Sequence, residues 1–478
     1  MPELFWKYRI VGVVALVLVG VYWAYHDPYM VANPVILVGL IGIQFLLASL
    51  GAYRKLFFFA VMISFLWAGV GLPLKDAWGT GRWVVLFFAA AVGMTLWLKE
   101  SRQHFGALHL VALFCALSAL SSAAVSAFPR TALLKASSLL LLFVYTSSGA
   151  RLAQLHRERQ FVRNLVTACE VIAFVSVAFY FGLRSQVFGN PNSLGAVMGV
   201  AVVPLLAWGI LDVDSESQRR RRILAFVLGL GLLVYSRSRA GMLAGIGASS
   251  FLLLNLRNYR LFARFAMMGV AALALVGLWN PDLIGRSAEG VSENLVYKGH
   301  RGGGILASRR EPWDATMATI REHPYLGGGF GTTQTGAENE KGASAISTTS
   351  GTSREHGNSY LALLEWVGIL GILPFLMLVG GMVLEVGKVG RYMRRTLDGT
   401  HPAVPLAMVC LAGFIHAMFE DWLFAVGYYL SVFLWCLAFC LMDLTREMAH
   451  APAHSFAPVR PGALESAWQG GFAAPREW

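Results

Sequence analysis

Several arginines stand in short polar breaks between long apolar runs. Arg184 precedes the turn Phe188-Gly189-Asn190-Pro191-Asn192-Ser193. Arg237 and Arg239 belong to Tyr235-Ser236-Arg237-Ser238-Arg239-Ala240-Gly241, and Arg309 and Arg310 to Ser308-Arg309-Arg310-Glu311-Pro312-Trp313. A guanidinium offers phosphate oxygens a planar pair of donors, where lysine offers only a point charge. Positions 237 and 239 do not point the same way. Arg239 is therefore the stronger phosphate ligand, and Arg237 either shares the binding group or pairs with an acidic neighbour. Asn192 or Ser193 can cap the helix after the 188–193 turn, where an anion is also welcome; a plain capped turn explains the asparagines equally well. His356, in Glu355-His356-Gly357-Asn358-Ser359-Tyr360-Leu361, carries the side chain most easily tuned to exchange a proton near neutrality. Glu365 follows about two helical turns deeper, where a carboxylate needs an arginine or a wet cavity. The run His323-Pro324-Tyr325-Leu326-Gly327-Gly328-Gly329 permits close backbone approach. No Lys-Ser/Thr follows it, which argues against a nucleotide P-loop.

The elements that must position these groups are membrane helices. Of 478 residues, 56% are hydrophobic and 14% charged, against about 25% charged in an average soluble chain. Alternating ten-residue strands are not visible, so the expected fold is all-α, a polytopic transmembrane bundle of roughly 12–14 spans. They fall at about 9–25, 32–50, 56–74, 83–98, 107–126, 132–148, 162–182, 192–211, 223–236, 240–255, 262–279, 358–386, 403–419 and 423–442. The fifth is rich in Ala and Ser, which suits close helix packing. The five cysteines all lie in apolar stretches and show no metal or disulfide spacing.

The net charge of +12 reflects loops rather than nucleic-acid binding. With the N-terminus in the cytoplasm, Arg54-Lys55, Lys99 to Arg102, Arg151 to Arg163, Arg219 to Arg222, Arg257 to Arg264 and Lys388 to Arg395 all fall on the cytoplasmic side. The expected division is an N-terminal bundle over 1–279, a cap with short helices over 280–357 on the far side, C-terminal helices over 358–442, and a disordered cytoplasmic tail over 443–478. Arg184, Arg237, Arg239, Arg309, Arg310 and Arg321 then stand on the side where cations are sparse. Each alone can snorkel to headgroups; together, beneath one loop, they point to a shared anionic ligand.

Nucleotide sugars are absent outside the cytoplasm, so a glycan donor there is carried on a lipid through a diphosphate. Its departure builds negative charge that arginines can stabilise, while a base takes the acceptor's proton. Asp212-Val213-Asp214 falls on the cytoplasmic side, so acidic-motif metal catalysis is disfavoured and neither metal nor cofactor is expected.

The arginine before Phe-Gly-Asn-Pro-Asn, the Ser-Arg-Ala-Gly break, the Arg-x-x-x-Trp helix leading to His-Pro-Tyr-Leu-Gly-Gly-Gly, and the loop exit at 356–361 together resemble the O-antigen ligase and Wzy-type polymerase superfamily over roughly Arg184 to Gly371. The resemblance implies a metal-independent, inverting GT-C type glycosyltransferase of a bacterial inner membrane, with its active site periplasmic. It implies an undecaprenyl-diphosphate-linked glycan as donor and a lipid or saccharide as acceptor. By position, Arg184 and Arg239 would hold the diphosphate, His356 would be the base or an acceptor-site residue, and Arg309 or Arg310 would match the arginine before the loop tryptophan. In one departure, Gly357 separates His356 from Asn358, where the family often has His-Asn. Ligase and polymerase both fit. A lipid-linked sugar transporter also fits the arginines, but few charged residues at mid-span beyond Glu170 and Glu365 support it.

Overall fold

In a computed structural model of the chain, the described residues are 57–71, 75–100, 105–257, 259–279, 307–333 and 356–450. The expected spans near 9–25 and 32–50, Arg286 and Arg301 in the cap, and the tail beyond 450 lie outside them.

All regular structure among the described residues is helical. We number the helices α1 Phe57–Gly69, α2 Lys75–Glu100, α3 Ala107–Ala123, α4 Pro129–Tyr145, α5 Glu158–Val177, α6 Pro191–Gly209, α7 Glu216–Tyr235, α8 Arg239–Leu256, α9 Tyr259–Trp279, α10 Ala307–Glu322, α11 Ser359–Thr396, α12 Ala403–His416 and α13 Tyr429–His450. Among the described residues seven helices are long and apolar enough to cross a membrane, and α1, α3 and α12 are shorter apolar helices. The twelve expected spans from 56–74 onward each fall on one helix. Wider turns of π type continue α4 over Thr146–Ala150 and α5 over Ala178–Gly182, and interrupt α6 over Met198–Val202.

The centre is held by α6 and α13, whose apolar faces are almost wholly buried. Ala112, Cys115, Ala116, Ala119, Ser122 and Ala123 of α3 are buried, and α3 packs along α11. Ser118 donates to the Gly371 carbonyl at 2.8 Å, so the small residues noted in the sequence serve a close helix contact. α6 and α8 approach closely too: β-carbons on Gly199 or Gly241 would collide with the backbone of the facing helix.

At the end where α5 and α7 begin, buried charges are matched. Arg222 and Arg221 pair with Glu170 at 3.1 and 2.6 Å. Arg159 and Arg163 pair with Asp212 at 2.5 and 2.8 Å, so this part of the Asp-x-Asp sequence serves a structural network. Composition predicts a disordered tail from about Asp443, but α13 runs to His450. Asp443 pairs with Arg151 at 2.9 Å, and Met442 and Leu444 are buried, which keeps that turn docked.

The expected span at 423–442 also starts later, at Tyr429. Residues 417–428 instead form turns across the end of the bundle. Ser359 Oγ donates to the Glu420 carbonyl at 2.6 Å and accepts from the Leu423 amide at 3.1 Å.

α11 breaks at Gly368, which has φ 66° and ψ −177°. The glycine run explains the break. Gly328 and Gly329 amides donate to the Glu365 and Trp366 carbonyls at 2.8 and 3.2 Å, and the Ile369 and Leu370 amides donate to the Pro324 and Tyr325 carbonyls at 2.8 and 3.2 Å. The loop thus restores hydrogen bonds that the helix gives up there. A β-carbon on Gly368 would be driven into the Tyr325 carbonyl. Gly368→Ala is expected to lower stability by about 2 kcal/mol or more, from backbone strain and overlap together, read as a drop in thermal midpoint of the purified protein. An unchanged midpoint would contradict this account of the break.

Candidate functional site

The turns at 417–428 gather the starts of α8 and α11 and the end of α12 around one cluster. His356 is fully buried just before α11. Its amide and its Nδ1 both meet Asp421 Oδ2, at 2.9 and 3.0 Å. Its Nε2 lies 3.4 Å from Glu365 Oε1, and the ring stands edge-on to Trp366 at 5.5 Å between centroids. Burial by itself disfavours the imidazolium, but the hydrogen bond to Asp421 and the nearby Glu365 carboxylate outweigh it and raise the titration of His356 above its ordinary value. Burial likewise favours the neutral Asp421, yet the His356 ring and amide hold its titration below the usual carboxylate range. With both ring nitrogens facing carboxylates, these surroundings favour the protonated ring over the neutral one.

Arg309 and Arg310, equivalent in sequence, are separated by the fold. Arg309 Nη2 pairs with Glu420 Oε1 at 2.6 Å, whereas Arg310 is exposed. Gly357 makes room for Arg309. Its φ is 63°, and a β-carbon there would stand 2.7 Å from Arg309 Nη1 and 2.9 Å from Cδ. Trp313 Nε1 donates to the Gly357 carbonyl at 3.4 Å, tying α10 to the same turn. The residue inserted between His356 and Asn358 thus has a steric role.

Arg239 is the first residue of α8. Ser238 caps that helix, accepting from the Gly241 amide at 3.2 Å. Arg239 and Arg309 lie close enough for their charges to repel. Arg237, two residues earlier, has φ 51° and is half-buried.

The 188–193 turn joins the 235–241 break through α6. Asn190, rather than Asn192 or Ser193, caps α6, accepting from the Ser193 amide at 2.7 Å, with Pro191 in the first turn. A β-carbon on Gly195 would meet Ser236 and Ser238. Asn192 is half-buried beside this contact. Arg184 is exposed, with φ 52°; no hydrogen bond or ion pair among the described residues joins it to Arg239, Arg309 or His356. Arg321 is exposed on α10.

The structure thus gathers Arg239, Arg309, His356 and Glu365, and adds Glu420 and Asp421, which the sequence reading passed over. The available signal was Glu420-Asp421, an adjacent acidic pair between two apolar spans where charge is otherwise scarce. Among the described residues no cluster of histidine, cysteine and acidic side chains is arranged to hold a metal.

The described residues thus form a multi-pass helical membrane protein in which Arg239 and Arg309 stand near a buried histidine and carboxylates. Residues 224–376 match the model of the O-antigen ligase family, Wzy_C. That match supports the O-antigen ligase and Wzy-type superfamily for this part of the chain. A comparison with curated proteins finds no match. The family supports membrane glycan transfer of the ligase or polymerase kind.

Proposed function

We propose that the protein transfers a glycan from an undecaprenyl-diphosphate carrier to a hydroxyl-bearing acceptor in cell-surface polysaccharide synthesis, on the periplasmic side of the inner membrane. The observation that carries this is the approach of Arg239 and Arg309 to each other next to the His356, Asp421 and Glu365 set. Glu420 holds Arg309 at 2.6 Å, and with Arg239 nearby the two guanidinium groups can offer paired donors to the two phosphates of a diphosphate.

In this reading, the acceptor oxygen attacks the anomeric carbon from the face opposite the departing phosphate. The carbon–oxygen bond to the diphosphate breaks, and the charge that collects there is stabilised by Arg239 and Arg309. The acceptor's proton passes to the carboxylate set. Asp421 keeps 25% of its side-chain exposure where His356 and Glu365 have none, so it is the member an acceptor can reach. His356 keeps Asp421 ionised and in place. Attack from the opposite face gives inversion, with no metal assigned a role.

The attachment of a glycan to a lipid or saccharide acceptor is the reading we favour; the polymerase is the second. Purified protein given lipid-linked donor distinguishes them. A ligase forms product only when acceptor is added, and a polymerase lengthens the donor on its own. Transport of intact donor across a bilayer, with neither product formed, would overturn both.

A further inference from the structure

Arg82 is 2% exposed in α2, next to the start of the membrane-spanning stretch Gly81–Leu98. Its Nη1 donates to the Gly427 carbonyl at 2.6 Å, and its guanidinium lies 4.9 Å from the centroid of the Trp83 ring. Its Nε and Nη2 are buried with no hydrogen-bond partner. Among the described residues no carboxylate pairs with it.

This sets Arg82 apart from the other deeply buried arginines. Arg151 has Asp443 at 2.9 Å and Arg222 has Glu170 at 3.1 Å. The fold neutralises those guanidinium groups from within and leaves this one with a carbonyl and a ring. An unpaired buried charge is strongly unfavourable, and buried donors in native proteins have acceptors. No acid among the described residues supplies that partner, which points to an anion from outside the chain. The location agrees. Gly427 belongs to the 417–428 turns that also carry Glu420 against Arg309 and Asp421 against His356.

We propose that Arg82 is an anion-binding residue that takes the phosphate of a lipid headgroup, at the opposite end of the 417–428 turns from Arg309. The proposal rests on the lipid-linked reading above for the side of the membrane and the class of ligand. Phosphate can reach it from the carrier lipid or from an anionic phospholipid, and the two sources are separable.

The test uses the full chain in phosphatidylcholine nanodiscs, wild type against Arg82→Gln, Arg82→Lys and Arg239→Ala. Binding of farnesyl diphosphate, a short lipid diphosphate, is measured in one arm, and the thermal shift on adding phosphatidylglycerol to the discs in the other. Arg82→Gln removes an uncompensated charge and keeps a donor for Gly427. Its midpoint without ligand is expected to equal or exceed wild type, while the response to one probe falls about tenfold. Loss toward farnesyl diphosphate assigns Arg82 to the carrier; loss toward phosphatidylglycerol assigns it to membrane lipid. Unchanged responses to both probes in Arg82→Gln, or in Arg82→Lys if the glutamine variant does not fold, overturn the proposal. Arg239→Ala separates the two ideas. If it loses farnesyl diphosphate binding and the Arg82 variants lose nothing, only this inference fails; if neither responds, the diphosphate reading fails.

Discussion

Arg239→Ala is expected to reduce glycan transfer by about a hundredfold or more, the effect of removing one donor aimed at developing charge in a water-poor site. The protein is expected to stay folded and in the membrane. Arg239 is placed by backbone that does not depend on its side chain: the Ser238 cap and the glycine contacts between α6 and α8 set the start of the helix. Arg237→Ala is expected to do less, because the left-handed turn at 237 separates it from the first helical position. The measurement is product formed from purified lipid-linked donor by wild type and the two variants at matched amounts of folded protein. Full transfer by Arg239→Ala would sink the proposed site.

A second large effect is expected at a residue the sequence did not single out. Asp421→Asn removes the counter-charge on His356 and leaves an amide against the ring. Breaking a buried pair costs about 3 kcal/mol at the lower end of the usual range, and that end applies because Asp421 keeps 25% side-chain exposure. Transfer is expected to fall at least about tenfold, since the same carboxylate is the member open to the acceptor.

The pH dependence follows from the directions of the two shifts. His356 titrates above its ordinary value in the folded protein. Its contribution to stability is complete below the unfolded value of about 6.5 and is lost as pH rises through the folded value. Asp421 titrates below its ordinary range. Its contribution is present above about 3.9 and is lost as pH falls through the folded value. The pair therefore stabilises most strongly between those limits. Thermal midpoints of wild type should decline as pH rises above about 6.5, and Asp421→Asn should flatten that decline. Parallel profiles for the two proteins would show that Asp421 does not set the charge of His356.

The sequence by itself determined the helical membrane architecture, because an apolar run of about twenty residues has few alternatives in lipid. Hydropathy likewise located the helices from α1 onward, and the break residues named Arg239, Arg309 or Arg310, His356 and Glu365 before any contact was known. Their partners were not legible in it. Asp421 lies sixty-five positions from His356, and Glu420 lies one hundred and eleven from Arg309. Local periodicity carries no information about such pairs. The choice of Arg309 over Arg310 came from the phase of α10 and from the space above Gly357. In sequence the glycine run only permits close backbone approach; tertiary structure made it the backbone partner of the break in α11, because only residues without a β-carbon can lie that close to the Trp366 and Gly368 peptides. Arg82 lies just ahead of the expected 83–98 span, and only burial shows a guanidinium with no acid among the described residues. Whether a charge is matched depends on which helix ends meet, and that is decided by packing across the bundle.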